Sequence, residues 1–97
     1  MNIELDEKVL QKITDTLHSN PKVSKIILFG SRVKGTAKQG SDIDLAIVGD
    51  HIDFREICNL STKLDDLDLP YTIDLIDYQS ITNDALKNHI DRVGFVV

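Results

Sequence analysis

Three aspartates stand where a chain would ordinarily place apolar residues. Asp42 and Asp44 sit one residue apart inside "SDIDLAIVG", and Asp74 interrupts "YTIDLID". Side chains alternate faces along a strand, so Asp42 and Asp44 point one way while Ile43, Leu45 and Ile47 point the other. Asp74 shares a face with Thr72 and Ile76. If the two strands lie adjacent or one apart, three carboxylates converge on one patch of sheet. Two carboxylates ~4 Å apart repel by about 1 kcal/mol in water and about 4 kcal/mol at an effective dielectric near 20. A divalent cation reverses that preference, and an all-oxygen donor set suits Mg²⁺ or Mn²⁺.

Upstream, "LFGSRVKG" places Gly30 and Ser31 at the end of an apolar run. The glycine admits close backbone approach, the amides that follow favour an anion, and the Ser31 hydroxyl adds a donor. Arg32, Lys34 and Lys38 concentrate positive charge nearby, although such a set is commonly a solvated helix face. Phosphate beside cation-binding carboxylates is the arrangement that phosphoryl or nucleotidyl transfer requires.

The elements that must position these groups follow from periodicity. Asp6 can cap a helix to about His18, with Leu5, Val9, Leu10, Ile13 and Leu17 on one face. Val23–Phe29 reads as a strand buried on both faces. Gly30 opens a turn and a short helix through Lys38, and Asp42–Val48 forms the second strand. Phe54, Ile57, Leu60, Leu64 and Leu67 mark a helix that ends before Pro70. Tyr71–Asp77 forms a third strand, Ile81 to Val93 a last helix, and "GFVV" a closing edge strand. The order α-β-α-β-α-β-α(-β) predicts an α+β (mixed α/β) domain, a small mixed sheet flanked by helices.

The 97 residues suit one domain, 1–97, that buries roughly 60–65% of the surface exposed when unfolded. With 11 Lys and Arg against 16 Asp and Glu, the net charge is −5, which argues against general nucleic-acid binding. A single cysteine precludes an intramolecular disulfide, and no apolar run reaches membrane-spanning length, so a cytoplasmic protein is expected. Cys58, beside the stripe of its helix, reads as core or semi-buried. His18, His51 and His89 lack ligand spacing and read as surface residues. Asp65, Asp66 and Asp68 read as a solvated helix end. Asp77 alternates opposite Asp74 and is the weaker candidate for the third acid.

Gly-Ser, ten residues, then Asp-hydrophobic-Asp-hydrophobic, with a later strand Asp, resembles the DNA polymerase β-like nucleotidyltransferase superfamily. "LFGSRVKG…GSDIDLAIVG" is most similar to its minimal nucleotidyltransferase (MNT) branch, over roughly residues 23–78. The resemblance implies a palm-like fold in which Gly30 and Ser31 form the nucleotide triphosphate-binding turn. Arg32 and Ser41 match accessory positions near the phosphates. Asp42 and Asp44 become metal ligands, and Asp74 the third carboxylate, placed as base toward an acceptor hydroxyl. It further implies Mg²⁺ or Mn²⁺, ATP as nucleotide, and a helical HEPN-family partner, an RNase toxin neutralised by AMP transfer to a tyrosine. Two alternatives stay open: a non-catalytic antitoxin that occludes its partner, and a nucleotidyltransferase with a small-molecule acceptor.

Overall fold

The computed structural model describes residues 7–29, 43–69 and 71–97. Its elements are helix α1 (Glu7–Leu17), strand β1 (Val23–Phe29), strand β2 (Ile43–Gly49) and helix α2 (Phe54–Asp65). Strand β3 (Ile73–Asp77), a 3₁₀ turn (Tyr78–Ser80), helix α3 (Asp84–Val93) and strand β4 (Phe95–Val96) complete them. The expected short helix after Gly30 lies outside the described residues.

The four strands form one mixed sheet in the order β3-β2-β1-β4. β1 runs antiparallel to β2 and to β4, whereas β2 and β3 are parallel and joined through α2. The closing strand inferred from "GFVV" is therefore real, though only two residues long. Parallel neighbours need a crossover that returns the chain to the same end of the sheet, and the twelve-residue α2 supplies it.

Each face of the sheet carries its own core. Ile26 and Leu28 of β1 and Ile43, Leu45 and Ile47 of β2 are 0% exposed and pack on Ile13 and Leu17 of α1 and on Leu60 and Leu64 of α2. On the other face Phe29 and Ala46 pack on Ile90 of α3, with Ile27, Ile76, Ile81 and Leu86 around them. β2 is thus covered on both sides, which is why its sequence reads as a near-continuous apolar run.

Several boundaries shift from expectation, each for a local reason. α2 stops at Asp65, because the chain turns through Asp66 into a positive-φ residue, Asp68, leaving Leu67 beyond the helix. The acidic end formed by Asp65, Asp66 and Asp68 is exposed, as expected. α3 begins at Asp84 rather than near Ile81, because the Asn83 side chain accepts from the Leu86 amide and caps it there. Cys58 is exposed, not semi-buried. The stripe of α2 runs through Ile57, Leu60 and Leu64, and residue 58 is turned about 100° from it.

A polar clamp ties the start of β1 to α2. Lys22 Nζ donates to Glu56 Oε1 at 2.7 Å and Asn20 Nδ2 donates to Glu56 Oε2 at 2.8 Å. Glu56 also closes a capping box, in which its amide donates to Asp53 Oδ1 at 2.8 Å. Nearby, a Cβ on Gly49 would approach the Lys22 carbonyl oxygen to 2.5 Å, so the close approach of this corner requires glycine. The hydrogen bond from Lys22, then that from Asn20, lowers the pKa of Glu56, while the Glu56 bond raises that of Lys22. A lowered carboxylate pKa contributes stability that is present above the unfolded value near 4.3 and lost as pH falls through the folded one. The raised Lys22 pKa acts in reverse, with its contribution lost only as pH rises above about 10.4. Glu56→Gln keeps the capping geometry and removes the charge. Its stability deficit relative to the parent chain is expected to be constant between pH 6 and 9 and to shrink as the pH falls below about 4.3, as read by denaturant unfolding across pH.

Candidate active site

The parallel register of β2 and β3 decides how the acids meet. Asp44 is the direct partner of Asp74, and the neighbouring pairs Ile43–Ile73 and Leu45–Leu75 keep the alignment. A hydrogen bond from the Ile43 amide to the Thr72 carbonyl (2.8 Å) locks the register at the leading end of both strands. Adjacent strands lie about 4.8 Å apart, so the two carboxylates emerge side by side on one face. That face is the one covered by α3, because Asp44 alternates with Ala46 and Asp74 with Ile76. Asp44 is half-buried and Asp74 exposed.

A third strand reaches the same level. Phe29, the last residue of β1, is the antiparallel partner of Asp44, and the Gly30-Ser31 motif follows it directly in the chain. Phe29, Asp44 and Asp74 therefore form one row across β1, β2 and β3. At one end of that row the chain enters the glycine-serine motif; at the other lies the edge strand β3.

Asp42, Gly30, Ser31, Arg32 and Ser41, all assigned to the site from sequence, lie outside the described residues. Among the described residues no group of three or more His, Cys, Asp and Glu comes together, so the geometry supplies two of the three expected acids. The donor set fits the implied cation nonetheless. Two like-charged carboxylates held side by side by backbone register offer oxygen atoms only, the donor type that Mg²⁺ and Mn²⁺ take. Asp42, two residues before Asp44 on the same chain, would add a third.

Asp77 is excluded from this cluster. It follows Ile73 and Leu75 in alternation and caps the 3₁₀ turn, with Oδ1 accepting from the Gln79 amide at 3.2 Å and Oδ2 from the Ser80 hydroxyl at 2.8 Å. The turn in turn holds α3: the Tyr78 hydroxyl donates to Asp91 Oδ1 at 2.6 Å, and Lys87 Nζ lies 5.1 Å from the Tyr78 ring centroid. The Asp91 bond raises the Tyr78 pKa.

His89 departs from the surface position expected for it. It is half-buried and meets Phe29 edge-on, with ring centroids 6.5 Å apart and planes at 79°. Its place on α3, three residues after Leu86 and one before Ile90, sets it on the flank of the apolar stripe. His18 and His51 are exposed. No ligand spacing in the sequence marks His89, and only the packing of α3 brings it beside the row.

The family "Polymerase beta, Nucleotidyltransferase" matches residues 11–97. The chain belongs to that nucleotidyltransferase family. It is 44% identical over 70 residues to the Haemophilus influenzae protein named "Probable protein adenylyltransferase MntA", a match covering 71% of this chain and 60% of that protein. The chain thus aligns with three-fifths of that relative's length. A crystal structure of a toxin–antitoxin with AMP-PNP superposes at a TM-score of 0.75 and 35% identity, over 89% of this chain and 69% of that one. The complex of tri-AMPylated Shewanella oneidensis HEPN toxin with MNT antitoxin superposes at a TM-score of 0.73 and 29% identity, over 95% and 71%. The MNT-type sheet anticipated from "GSR…SDIDL" agrees with these likenesses.

Register places the Asp74 carboxylate beside that of Asp44 on one face of the sheet. Replacing Asp74 by asparagine removes a repulsion of about 1 kcal/mol at this spacing in water. In EDTA at low ionic strength, Asp74→Asn is expected to melt a few degrees above the parent chain, and added salt is expected to shrink the gain. Equal melting of the two proteins would show that the pairing carries no net repulsion in the folded chain.

Proposed function

We propose that this chain is a metal-dependent protein adenylyltransferase that moves AMP from ATP onto a tyrosine hydroxyl of a HEPN-type helical toxin and thereby neutralises it. The carrying observation is the register pairing of Asp44 with Asp74 at the level where β1 ends and the Gly30-Ser31 motif begins. The relatives named above, one an adenylyltransferase, one a toxin–antitoxin with AMP-PNP and one an AMPylated toxin complex, support the same reading.

Each residue has a role in this scheme. The Gly30 and Ser31 amides and the Ser31 hydroxyl bind the triphosphate, with Arg32 and Ser41 beside it. Asp42, Asp44 and Asp74 would hold Mg²⁺ or Mn²⁺, which would supply positive charge to neutralise the phosphate oxygens. The acceptor oxygen forms a bond to the α-phosphorus while the bond from that phosphorus to the bridging oxygen breaks, releasing pyrophosphate. The hydroxyl proton passes to the Asp74 carboxylate, whose exposure on an edge strand leaves room for a protein acceptor to approach. ATP is available in the cytoplasm, the compartment this reading requires. No helix among the described residues is long and apolar enough to cross a membrane.

Incubation with α-labelled ATP, Mn²⁺ and the cognate HEPN-type toxin is expected to label the toxin covalently. Asp74→Asn, which removes the base, is expected to slow labelling roughly 10²- to 10⁴-fold, and Asp44→Asn at least as much. Undiminished labelling in either variant would sink the catalytic roles. Stoichiometric neutralisation of the toxin by both variants without labelling would instead favour occlusion.

A further inference from the structure

The apolar stripe of α2 does not stop where the sheet stops. Leu60 and Leu64, each 2% exposed, lie under the sheet, and Ile57 packs at its margin. Phe54, three residues earlier on the same stripe, is 82% exposed. The sequence pattern assigns this phenylalanine to the core-facing stripe; the structure leaves it uncovered. Among the described residues, Phe54 and Val96 are the large hydrophobic side chains that stand exposed.

Phe54 forms the rim of an open groove of about 420 Å³ between the first turns of α2 and α3, at the carboxyl ends of β2 and β3. Ile52, Ile57, Ile76, Ile81 and Leu86 line it with hydrocarbon. Its formal charges are Asp53 and Asp77, and no Lys, Arg or His lines it. Asp84 opens α3 beside it.

This groove and the carboxylate row share one strand. Ile76, in the groove wall, lies two residues beyond Asp74 on the same face, about 7 Å along β3. In the row Phe29–Asp44–Asp74, Asp74 is the member on the edge strand, so the β3 side, where the sheet ends, is open to an acceptor. A body seated against Ile76 is therefore held two strand residues from Asp74.

We propose that this groove is the docking site of the acceptor protein, which enters it with an apolar anchor flanked by Lys or Arg. The assignment rests on the adenylyltransferase reading given above and names the surface through which that reaction's partner is held. Three features select the occupant. An aromatic ring 82% exposed at an open rim needs a broad apolar surface to cover it, more than a nucleotide-sized ligand brings. The lining carries the carboxylates of Asp53 and Asp77 and no Lys, Arg or His, which favours a basic partner. The same charge disfavours a second copy of this chain, whose net charge is −5 and whose own groove carries the same acids. An exposed aromatic beside an apolar groove is the type of residue that dominates interface energy.

Phe54 contributes little to the folded chain by itself, so Phe54→Ala is a clean probe. Binding of the purified HEPN-type toxin to the full chain, followed by calorimetry, is expected to weaken roughly tenfold to a hundredfold in Phe54→Ala. The melting temperature and the affinity for AMP-PNP with Mn²⁺ are expected to stay unchanged. Thr82→Arg, an exposed groove position given a positive charge, is expected to weaken binding at low salt and less so at high salt. Val96→Ser, on the opposite edge strand, is expected to leave binding intact. Parent-like toxin binding by both Phe54→Ala and Thr82→Arg overturns the groove, as does a dimer of this chain that depends on Phe54. Toxin binding through Phe54 without AMP transfer overturns the transfer reading and leaves the groove standing. Full transfer to toxin by Phe54→Ala at limiting concentration does the reverse.

Discussion

Everything in this domain is arranged around a pair of like charges that backbone hydrogen bonding forces together. Parallel pairing of β2 and β3 leaves Asp44 and Asp74 no freedom to separate along the sheet. A carboxylate pair of this kind is tolerable only where water and cations can reach it. Asp44 and Asp74 accordingly sit near the leading end of their strands, with Asp74 on the sheet's edge, while Leu45, Ala46 and Ile47, one to three residues after Asp44, are wholly buried. The core makes the strands rigid, and that rigidity holds the charges in opposition.

The two faces of the sheet divide the work. The face under α1 and α2 is an uninterrupted apolar layer of Ile and Leu, with the Lys22–Glu56 clamp and the Asp53 cap fixing α2 at its rim. The face under α3 is a smaller cluster around Phe29, Ala46 and Ile90, and it leaves room for the acids beside it. The 3₁₀ turn after β3 decides where α3 lies. Asp77 folds that turn and Tyr78 anchors it to Asp91, and α3 held in this way brings His89 edge-on to Phe29.

The same connections open a groove at the far end of β2 and β3. α2 and α3 both start there, on opposite faces, and helices that begin on opposite sides of a thin sheet diverge beyond its last residues. Phe54 and Leu86 mark the two sides of that divergence.

Much of the architecture was legible in the chain. The limits of β1 agree to the residue, because its apolar run ends abruptly at Gly30, and the 3.6-residue stripes of α1 and α2 locate both helices. Alternation placed Asp44 opposite Leu45 and separated Asp74 from Asp77, since a strand's period of two is a local property. Helix starts set by side-chain caps were less visible: Asn83 overrides the apolar pattern beginning at Ile81, and Cys58 and Phe54 lie on or near the α2 stripe yet end exposed. Periodicity tells which side of a helix is apolar but not how far the neighbouring sheet extends over it. Adjacency and register between β2 and β3 depend on the α2 crossover and on hydrogen bonds between residues about 30 apart, which no local pattern encodes. The residue types and their facing belonged to the sequence. The meeting of Asp44 with Asp74, the contact of His89 with Phe29 and the uncovered ring of Phe54 came from long-range packing alone.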